Sequence, residues 1–349
     1  MNGAPPSITL SQAQSPCFVG LDVGGTNIKL GLVDNLGRTI ARQTIATQQQ
    51  DGPQAAVERM AAAVRQIVQQ AGGSLDKIPG VGLATPGTMD IPAGKLLQPH
   101  NLPAWWGFPI REKLSAACGR PVVFANDANA AAFGESWVGS GQGFLSIVFL
   151  TLGTGVGGGI IIGDLSVDGQ HSHGGECGHV ILDYHDTARL CPCGQRGHLE
   201  AYASAQAVVQ RTQEGLEAGR PSSLRHRLAS GEGLTPLIVA EEAERNDELA
   251  LEIVLETARY LGIGVVTLMH TVDPGAVILG GAMTFGGPSS PLGQRFLERV
   301  RQEVRRRAFP VLAERTSVVF AALGSDAGYI GAAGIARAAH HAAPGGSAA

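Results

Sequence analysis

The chain has 349 residues, a formal net charge of −4 at pH 7 and an isoelectric point near 6.2. This length predicts about two domains, each large enough to bury a core of its own. The charge balance lacks the basic surface that nucleic acid or an acidic membrane attracts, so we expect neither as a partner. Glycine is abundant, with 49 residues and no collagen-like period, which suits close approach of the backbone to ligands.

No secretory signal is visible at the start of the sequence. The first 16 residues contain no Lys, no Arg and no apolar signal-peptide segment, and we expect 1–16 and 342–349 to be disordered tails. Five cysteines in a chain without a signal indicate reduced thiols and a cytoplasmic protein. The uncharged run 145–163 is long enough for a membrane span, but Gly153-Thr154-Gly155 divides it into two strand-length pieces.

Strands and helices alternate along the chain, which indicates α/β architecture. In chain order we expect strands around 18–23 and 30–34, a helix at 52–72, strands at 81–84 and 122–124, strands around 147–152 and 160–162, a helix at 247–269, a strand at 276–279, a helix at 291–307, a strand at 317–322 and a helix at 326–340. The segment 169–200 is rich in His, Cys and Gly and has little periodicity. It predicts a loop-rich insert that a ligand stabilises.

Two glycine-threonine turns occupy matched positions between apolar strands. The first is Gly24-Gly25-Thr26-Asn27 and the second is Gly153-Thr154-Gly155, and in both another glycine follows the threonine by five residues. Glycine has no Cβ to cover the backbone N–H groups, so such a turn can approach a phosphate closely. Two of them indicate a duplicated fold that holds one polyphosphate from both sides.

The first turn is preceded by a carboxylate and the second is not. Asp22 could hold Mg²⁺ through water beside nucleotide phosphates, or it could simply form the turn. The second turn also matches the dinucleotide pattern G-x-G-x-x-G from Gly153 to Gly158. We reject that interpretation because a strand, and not a helix, is predicted to follow. A Walker P-loop pattern is absent from the sequence.

Asn126 and Asp127 stand at the carboxyl end of a predicted strand and before an alanine-rich helix. Either residue could cap that helix, which Asn and Asp do well. The carboxyl ends of strands also line the ligand crevices of α/β sheets. The functional interpretation is that Asp127 is a general base that takes a proton from an attacking hydroxyl.

Four potential metal ligands fall within 20 residues of one another in the insert. His179, Cys191, Cys193 and His198 could form a tetrahedral Zn²⁺ site, although Cys-x-Cys is not the commoner spacing. The alternative is a pair of buried thiols with surface histidines, and the nearby Cys177, His171, His173 and His185 leave the ligand set open. Glu176 and Glu200 flank the cluster and could bind a polyhydroxylated ligand, or they could be solvated surface acids.

Taken together, these motifs resemble the sugar kinases of the ROK family, from about residue 17 to residue 340. The matching motifs are Asp22-x-Gly-Gly-Thr-Asn-x-Lys29, Asn126-Asp127-Ala-Asn-Ala, Gly153-Thr-Gly-Val-Gly-Gly-Gly159, Gly175-Glu176-Cys-Gly-His179, Cys191-x-Cys193-Gly-x-x-Gly-His198-Leu-Glu200 and Gly280-Gly281-Ala. The resemblance implies an α/β, two-lobed, actin-like ATPase fold, duplicated and ribonuclease H-like, with a cleft between the lobes. The small lobe would be 17–126 plus 326–341, and the large lobe 127–325, with a zinc-braced sugar loop at 169–200.

The resemblance also implies a role for each matching residue. Asp127 would be the base that activates a sugar 6-hydroxyl, and the other hydroxyls would be bound by Asn101, Asn126, Glu176, His179 and Glu200. ATP and its phosphates would be bound by Asp22, Gly24, Gly25, Thr26, Asn27, Lys29, Gly153, Thr154, Gly155, Gly280 and Gly281. A structural Zn²⁺ would be held by His179, Cys191, Cys193 and His198. The family has a cysteine where this chain has His198, so Cys177 is the alternative fourth ligand.

The implied activity is ATP- and Mg²⁺-dependent phosphorylation of a hexose, with glucose as the expected acceptor. N-acetylglucosamine, N-acetylmannosamine, mannose, fructose and allose stay open as acceptors, and polyphosphate stays open as a donor. The family also contains sugar-responsive repressors with an N-terminal helix-turn-helix. We expect no such DNA-binding domain here, because only about 16 residues precede the first predicted strand. A homodimer or homotetramer is typical of the family.

Overall fold

A computed structural model describes residues 7–98 and 102–343. The strands are β1 Phe18–Val23, β2 Asn27–Val33, β3 Thr39–Ala46, β4 Val81–Thr85, β5 Thr88–Asp90, β6 Lys95–Gln98, β7 Val122–Asn126, β8 Ser146–Leu152, β9 Val156–Ile162, β10 Leu165–Ser166, β11 Ala276–Gly280 and β12 Ser317–Phe320. The helices are α1 Gly52–Gln70, α2 Ile110–Cys118, α3 Asp127–Val138, α4 Glu200–Ala203, α5 Ala205–Glu217, α6 Leu224–Ala229, α7 Pro236–Glu244, α8 Glu248–Val272, α9 Pro291–Arg307, α10 Pro310–Arg315 and α11 Ala327–Ala342.

The chain divides into two compact units. The first unit takes the described residues of 2–143, 159–175 and 322–349, and the second takes 144–158 and 176–321. This grouping places α3 with the N-terminal sheet, whereas the sequence analysis assigned residues 127–138 to the large lobe. The lobe boundaries inferred from the sequence stay a prediction.

The first unit is built on a mixed five-stranded sheet with the order β3-β2-β1-β4-β7. β1 and β2 are antiparallel across the first glycine turn, while β1, β4 and β7 are parallel. Apolar side chains of one sheet face form a core with α1 and α2 that includes Leu21, Leu83 and Met60. Because β1, β4 and β7 are parallel, the residues that follow them share one edge of the sheet.

Helix α11 packs against the other face of this sheet so closely that its backbone contacts the backbone of the strands. A Cβ at Gly82 of β4 would overlap the carbonyl oxygen of Ala332, and a Cβ at Gly331 would overlap the carbonyl oxygen of Ala130 in α3. Glycine is therefore required on both sides of the helix. The contact fixes α11 against the sheet and fixes α3 against α11.

The second unit contains β8, β11 and β12 of another five-stranded sheet, whose order is β10-β9-β8-β11-β12. β8, β11 and β12 are parallel to one another. Within the unit, the long apolar α8 packs against the amphipathic α9, and α9 packs against β12.

Most predicted elements are present with small changes of boundary. The predicted helix 52–72 ends at Gln70, the predicted helix 326–340 runs from Ala327 to Ala342, and the helix at 291–307 has the predicted bounds. A strand follows the second glycine turn, as predicted, so the dinucleotide pattern there does not open a helix. The insert 169–200 contains only a 3₁₀ turn at Cys177–His179 and isolated bridges before α4 begins.

Two regions differ from the sequence analysis. Residues 7–16 were expected in a disordered tail, but Ile8 N–H donates to the Thr39 carbonyl at 3.0 Å and Gln14 N–H donates to Asp34 at 3.0 Å. These hydrogen bonds attach the segment to the β2–β3 connection, while residues 1–6 lie outside the described residues. The sequence analysis assigned no element to 201–246, where the structure has α5, α6 and α7.

Two further expectations concern the cysteines and the possibility of a membrane span. All five cysteines lie in the described part of the chain, and none forms a disulfide, as predicted. Among residues 7–98 and 102–343, no helix combines the length and the apolar character needed to cross a membrane. The run 145–163 is divided between β8 and β9.

The α11 contact predicts a large stability cost for one methyl group. Gly82→Ala should lower the free energy of unfolding by about 3 kcal/mol, because the new Cβ overlaps a backbone atom that cannot rotate away. The control is Gly233→Ala, since a Cβ there meets nothing within 4 Å, and its effect should stay within about 1 kcal/mol. Urea denaturation of both variants measures the difference, and equal stabilities would contradict this account of the packing.

Candidate active site

The first glycine turn connects β1 to β2 and leaves backbone donors uncovered. Gly24 N–H donates to the Asn27 carbonyl at 2.8 Å, and Thr47 braces the turn by donating its hydroxyl to the Gly24 carbonyl at 2.7 Å. The N–H groups of Gly25 and Thr26 have no acceptor in the described parts of the chain. Two successive free N–H groups form a small concave anion site.

Asp22 lies at the base of this turn. It is the register partner of Lys29 across the hairpin, and it adjoins the first turn of α11, where a Cβ at Gly328 would overlap its carboxylate. Burial raises the pKa of the Asp22 carboxyl above its ordinary value, and the Lys29 ammonium opposes that rise. Lys29 itself donates to the Ser325 carbonyl at 3.2 Å.

Asn126 and Asp127 end β7 and begin α3, at the same sheet edge as the first turn. Register pairs place Asp22 beside Ala84 and Ala84 beside Ala125, so Asp22 and the end of β7 are two strand spacings, about 10 Å, apart. Asn126 caps α3, because its Oδ1 accepts from Ala128 N–H at 2.8 Å. The capping alternative is therefore confirmed for Asn126. The same Ala128 N–H also lies 2.8 Å from Asp127 Oδ1.

One residue at this edge had not been identified from the sequence. Thr85 ends β4 as the register partner of Asn126 and is fully buried. Its hydroxyl has no hydrogen-bond partner among residues 7–98 and 102–343. A buried hydroxyl without a partner is costly, and it marks the floor of a polar site. A polar residue at the end of an apolar strand, before Pro86-Gly87, was the available signal.

The second glycine turn has the same backbone pattern in the second unit. Gly153 N–H donates to the Gly155 carbonyl at 3.0 Å, and Ala205 N–H at the start of α5 donates to the Gly153 carbonyl at 2.9 Å. The N–H groups of Thr154 and Gly155 have no acceptor in the part of the chain that the structure describes. The two turns therefore match in their free donors as well as in sequence.

The second turn does have a carboxylate beside it, contrary to the sequence analysis. Glu200 Oε2 accepts the N–H of Val156, the first residue after the turn, at 2.8 Å. A Cβ at Gly155 would overlap the same oxygen, and a Cβ at Gly178 would overlap the carbonyl oxygen of Val156. This carboxylate comes from a distant segment, so the local sequence of the turn could not reveal it.

Two of the predicted ATP-binding glycines, Gly280 and Gly281, lie next to the second turn. Gly280 of β11 is the register partner of Thr151 in β8. Gly281 has a φ of +90°, and a Cβ there would overlap the backbone of Leu152 directly before the turn. The structure thus brings Gly280 and Gly281 to the edge of the sheet that carries the turn.

The four predicted metal ligands come together in the insert. The ligand atoms of His179, Cys191, Cys193 and His198 all lie within 4.8 Å of one another. Cys193 Sγ lies 3.2 Å from His198 Nδ1, and the two imidazole rings are 5.1 Å apart in a perpendicular arrangement. Two thiols and two imidazoles at this spacing suit a tetrahedral Zn²⁺ ion.

Local charges distinguish the two histidines. His179 Nδ1–H donates a hydrogen bond to Glu176 Oε2 at 3.2 Å, and this bond raises the pKa of His179 above its usual value. Burial lowers the pKa of His198, and His179 beside it adds to that effect. Cys177 is buried on the other side of the 3₁₀ turn, where burial raises its thiol pKa to about 12, and it is not among the clustered ligands.

A cavity opens beside the second turn within the second unit. It has a volume of about 780 Å³, and its lining includes Thr154, Gln206, Gln210, Gln213 and Thr235. The three glutamines follow helical spacing on α5, so they present one amide-rich face. The helical spacing of these glutamines is visible in the sequence, but the α5 segment contains no recognised functional motif.

The remaining predicted residue is Asn101, which lies outside the described residues. The others fall into two groups. Within the first unit, the first turn, Asp22, Lys29, Asn126 and Asp127 share one sheet edge. Within the second unit, the second turn, Gly280–Gly281, Glu176, His179, Glu200 and the cluster are adjacent. Chemically, the first group offers anion donors and a carboxylate base, and the second offers anion donors and hydrogen-bond partners for hydroxyls.

Comparison with known proteins gives consistent matches over nearly the whole chain. The sequence profile of the ROK family matches residues 18–339. A glucokinase of Halalkalibacterium halodurans is 33% identical over 314 residues, covering 90% of this chain and 93% of the relative. The structure is similar to a ROK hexokinase from Thermus thermophilus, with a TM-score of 0.78, 33% identity and coverage of 93% and 99%. It is also similar to a ROK family glucokinase from Streptomyces griseus in complex with glucose and AMPPNP, with a TM-score of 0.72, 32% identity and coverage of 93% and 100%.

The buried charge of Asp22 predicts a conflict between stability and function. Because its pKa is raised in the folded state, the charged carboxylate lowers stability once the pH exceeds the pKa of the unfolded chain. Asp22→Asn should therefore raise the free energy of unfolding at pH 7.5 by something on the order of 1 kcal/mol. The gain should shrink as the pH falls and the wild-type carboxyl becomes protonated.

Urea denaturation at several pH values measures this effect. The exposed Asp186 gives the control, since Asp186→Asn removes the same charge without removing a buried one. A variant Asp22→Asn that is less stable than the wild type at pH 7.5 would show that the buried carboxylate stabilises the fold.

Proposed function

Because the chain belongs to the ROK family, we propose that it is an ATP-dependent hexose kinase and that glucose is its acceptor. Its fold is the actin-like ATPase fold that the sequence predicted. The observation that carries the proposal is the sheet edge of the first unit. There the first glycine turn and Asp22 lie at the end of β1, and Asp127 directly follows β7, which is parallel to β1 and separated from it by β4.

Both glycine turns bind the phosphates of ATP in this proposal. Each turn has two successive backbone N–H groups with no acceptor in the described segments. They belong to Gly25 and Thr26 in the first turn and to Thr154 and Gly155 in the second. The nucleoside lies in the cavity beside Thr154, whose 780 Å³ falls within the usual range for small-molecule sites. The amides of Gln206 and Gln210 line that cavity and can both donate and accept hydrogen bonds.

Asp22 is the residue of the first turn that can hold Mg²⁺. Burial raises the pKa of its carboxyl, and the Lys29 ammonium opposes that rise. Bound Mg²⁺ would neutralise the developing charge on the β- and γ-phosphates. An ion near Asp22 would also relieve the cost of its buried charge, which fits the raised pKa.

The sugar is bound by the insert and by the end of β7. Glu176, His179 and Glu200 offer carboxylate and imidazole groups, which suit the hydroxyls of a hexose. Asn126 contributes its amide, and Asn101 would contribute from outside the described residues. Because His179 belongs to the metal cluster as well, the cluster fixes the direction in which its ring can face a sugar.

Phosphoryl transfer needs little covalent participation by the protein. Asp127 accepts the proton of the attacking 6-hydroxyl as that oxygen bonds to the γ-phosphorus and the bond to the β-phosphate oxygen breaks. The free N–H groups of the turns stabilise the charge that develops on the phosphate oxygens. Positioning and electrostatic stabilisation therefore supply most of the rate enhancement.

We also propose that His179, Cys191, Cys193 and His198 hold a structural Zn²⁺ ion. The cluster of four suitable atoms supports this set, and Cys177 is the alternative that it disfavours. When bound, the ion would brace a segment that has almost no regular secondary structure between Gly169 and Glu200. The homodimer or homotetramer stays a prediction.

The base role of Asp127 predicts a separation of turnover from binding. Asp127→Asn should lower kcat by about 10²- to 10⁴-fold, because the amide cannot take the hydroxyl proton. The dissociation constant for glucose should change much less, since an amide still hydrogen-bonds a hydroxyl. A coupled ADP-release assay with Mg-ATP measures kcat, and isothermal titration calorimetry measures glucose binding.

The exposed Asp186→Asn serves as the control and should keep wild-type kcat. Two results would contradict the role. One is an Asp127→Asn enzyme with near-normal kcat. The other is loss of glucose binding together with turnover, which would make Asp127 a substrate-binding residue only.

The metal site predicts different outcomes for two neighbouring thiols. Metal analysis of the purified protein should find about one zinc per chain in the wild type and in Cys177→Ser. Cys193→Ser and His198→Ala should lose most of it, because each removes one of four ligands. Retention of zinc by His198→Ala and its loss from Cys177→Ser would replace His198 by Cys177 in the ligand set.

A further inference from the structure

Glu200 makes a contact that sugar binding does not require. Its Oε2 accepts the N–H of Val156 at 2.8 Å, and Val156 directly follows the second glycine turn. The other oxygen, Oε1, lies 3.6 Å from Cys191 Sγ. One side chain therefore reaches both the backbone of the phosphate turn and the metal cluster.

The backbone around the turn is adapted to this contact. Gly155 is the residue whose Cβ would overlap Glu200 Oε2, and its φ lies outside the left-handed region, so alanine could adopt the same backbone conformation. The reason for glycine at this position is thus space for the carboxylate. In the next peptide unit, a Cβ at Gly178 would overlap the Val156 carbonyl oxygen.

These contacts determine which donors of the turn are free. Val156 N–H is used by Glu200, and Gly153 N–H is used by the Gly155 carbonyl. The N–H groups of Thr154 and Gly155 lie between these two fixed points and have no acceptor in the described chain. Without the hydrogen bond from Val156 N–H to Glu200, the C-terminal end of the short turn would no longer be held by that carboxylate. The two free N–H groups would then no longer be fixed in the same direction.

We propose that Glu200 is a positioning residue for nucleotide binding: through Val156 it holds the N–H groups of Thr154 and Gly155 in the orientation that binds phosphate. The role is additional to the sugar contact and rests on the proposed function of the second turn. A carboxylate has lone pairs enough for both tasks, because the Val156 bond uses one direction of one oxygen. Glu200 thereby serves the nucleotide and the sugar from one position.

The test measures nucleotide affinity in the absence of sugar. Isothermal titration calorimetry with Mg²⁺ and a non-hydrolysable ATP analogue is run on the wild type, Glu200→Ala, Glu200→Gln and the exposed control Asp186→Asn. Glu200→Ala should raise the dissociation constant about tenfold or more, since it removes a hydrogen bond to a charged acceptor. Glu200→Gln keeps an acceptor oxygen, so its nucleotide affinity should stay within about threefold of the wild type, while glucose affinity falls in both variants.

A second substitution keeps the test valid if Glu200→Ala is poorly folded by circular dichroism. Gly155→Ala retains Glu200 but displaces its carboxylate, and it should weaken nucleotide binding to a similar degree. In the Glu200→Ala background, Gly155→Ala should add much less, because the two changes remove the same contact. An undiminished cost in that background would mean that the new methyl group blocks the phosphate directly.

The outcomes separate this proposal from the function on which it rests. Unchanged nucleotide affinity in Glu200→Ala, with weakened glucose binding, would overturn the positioning role and leave the kinase intact. Loss of nucleotide affinity in Glu200→Gln equal to that in Glu200→Ala would also overturn it, because an acceptor oxygen would then be insufficient. No nucleotide binding by the wild type would refute the proposed function itself.

Discussion

Direct backbone contact between α11 and its neighbours is the constraint on which the first unit depends. Glycines at 82 and 331 remove the side chains that would separate the helix from β4 and from α3. The same helix begins against Asp22, and α3 begins with Asp127. One helix therefore positions both Asp22 beside the first glycine turn and the start of α3, where the proposed base Asp127 lies, and both positions depend on the glycines that the helix contacts.

The two glycine turns have matching free N–H groups, but different residues hold each turn in place. In the first, the hydroxyl of Thr47 braces the turn from the end of the adjacent hairpin, and the acid is Asp22 of the preceding strand. In the second, the brace and the acid are one residue, Glu200, which comes from the cysteine- and histidine-rich insert. In the proposed function, nucleotide phosphates and sugar hydroxyls would thus share a structural support in the second unit, and the proposed metal ligands lie within the same segment.

How much the sequence could predict follows from the range of each interaction. Turns, strands and the clustered side chains are encoded within about 20 residues, so the glycine turns, the α/β class and the His179–His198 cluster could be predicted from the sequence. The Glu200–Val156 contact joins residues 44 positions apart and needs the folded chain. The polar residue Thr85 at a strand end and the helical spacing of the α5 glutamines are visible in the sequence, but neither belongs to a recognised motif. Their place in a site depends on a neighbouring strand or turn, which the local sequence does not reveal.

The central claim is that this chain moves a phosphoryl group from ATP to a sugar hydroxyl. Phosphorus NMR of a mixture of the wild-type protein, Mg-ATP and glucose tests it most directly, because it identifies both products at once. The account predicts that ADP and a phosphate monoester on the 6-oxygen of glucose appear in equal amounts. Unchanged ATP, or ADP accompanied only by inorganic phosphate, would contradict it.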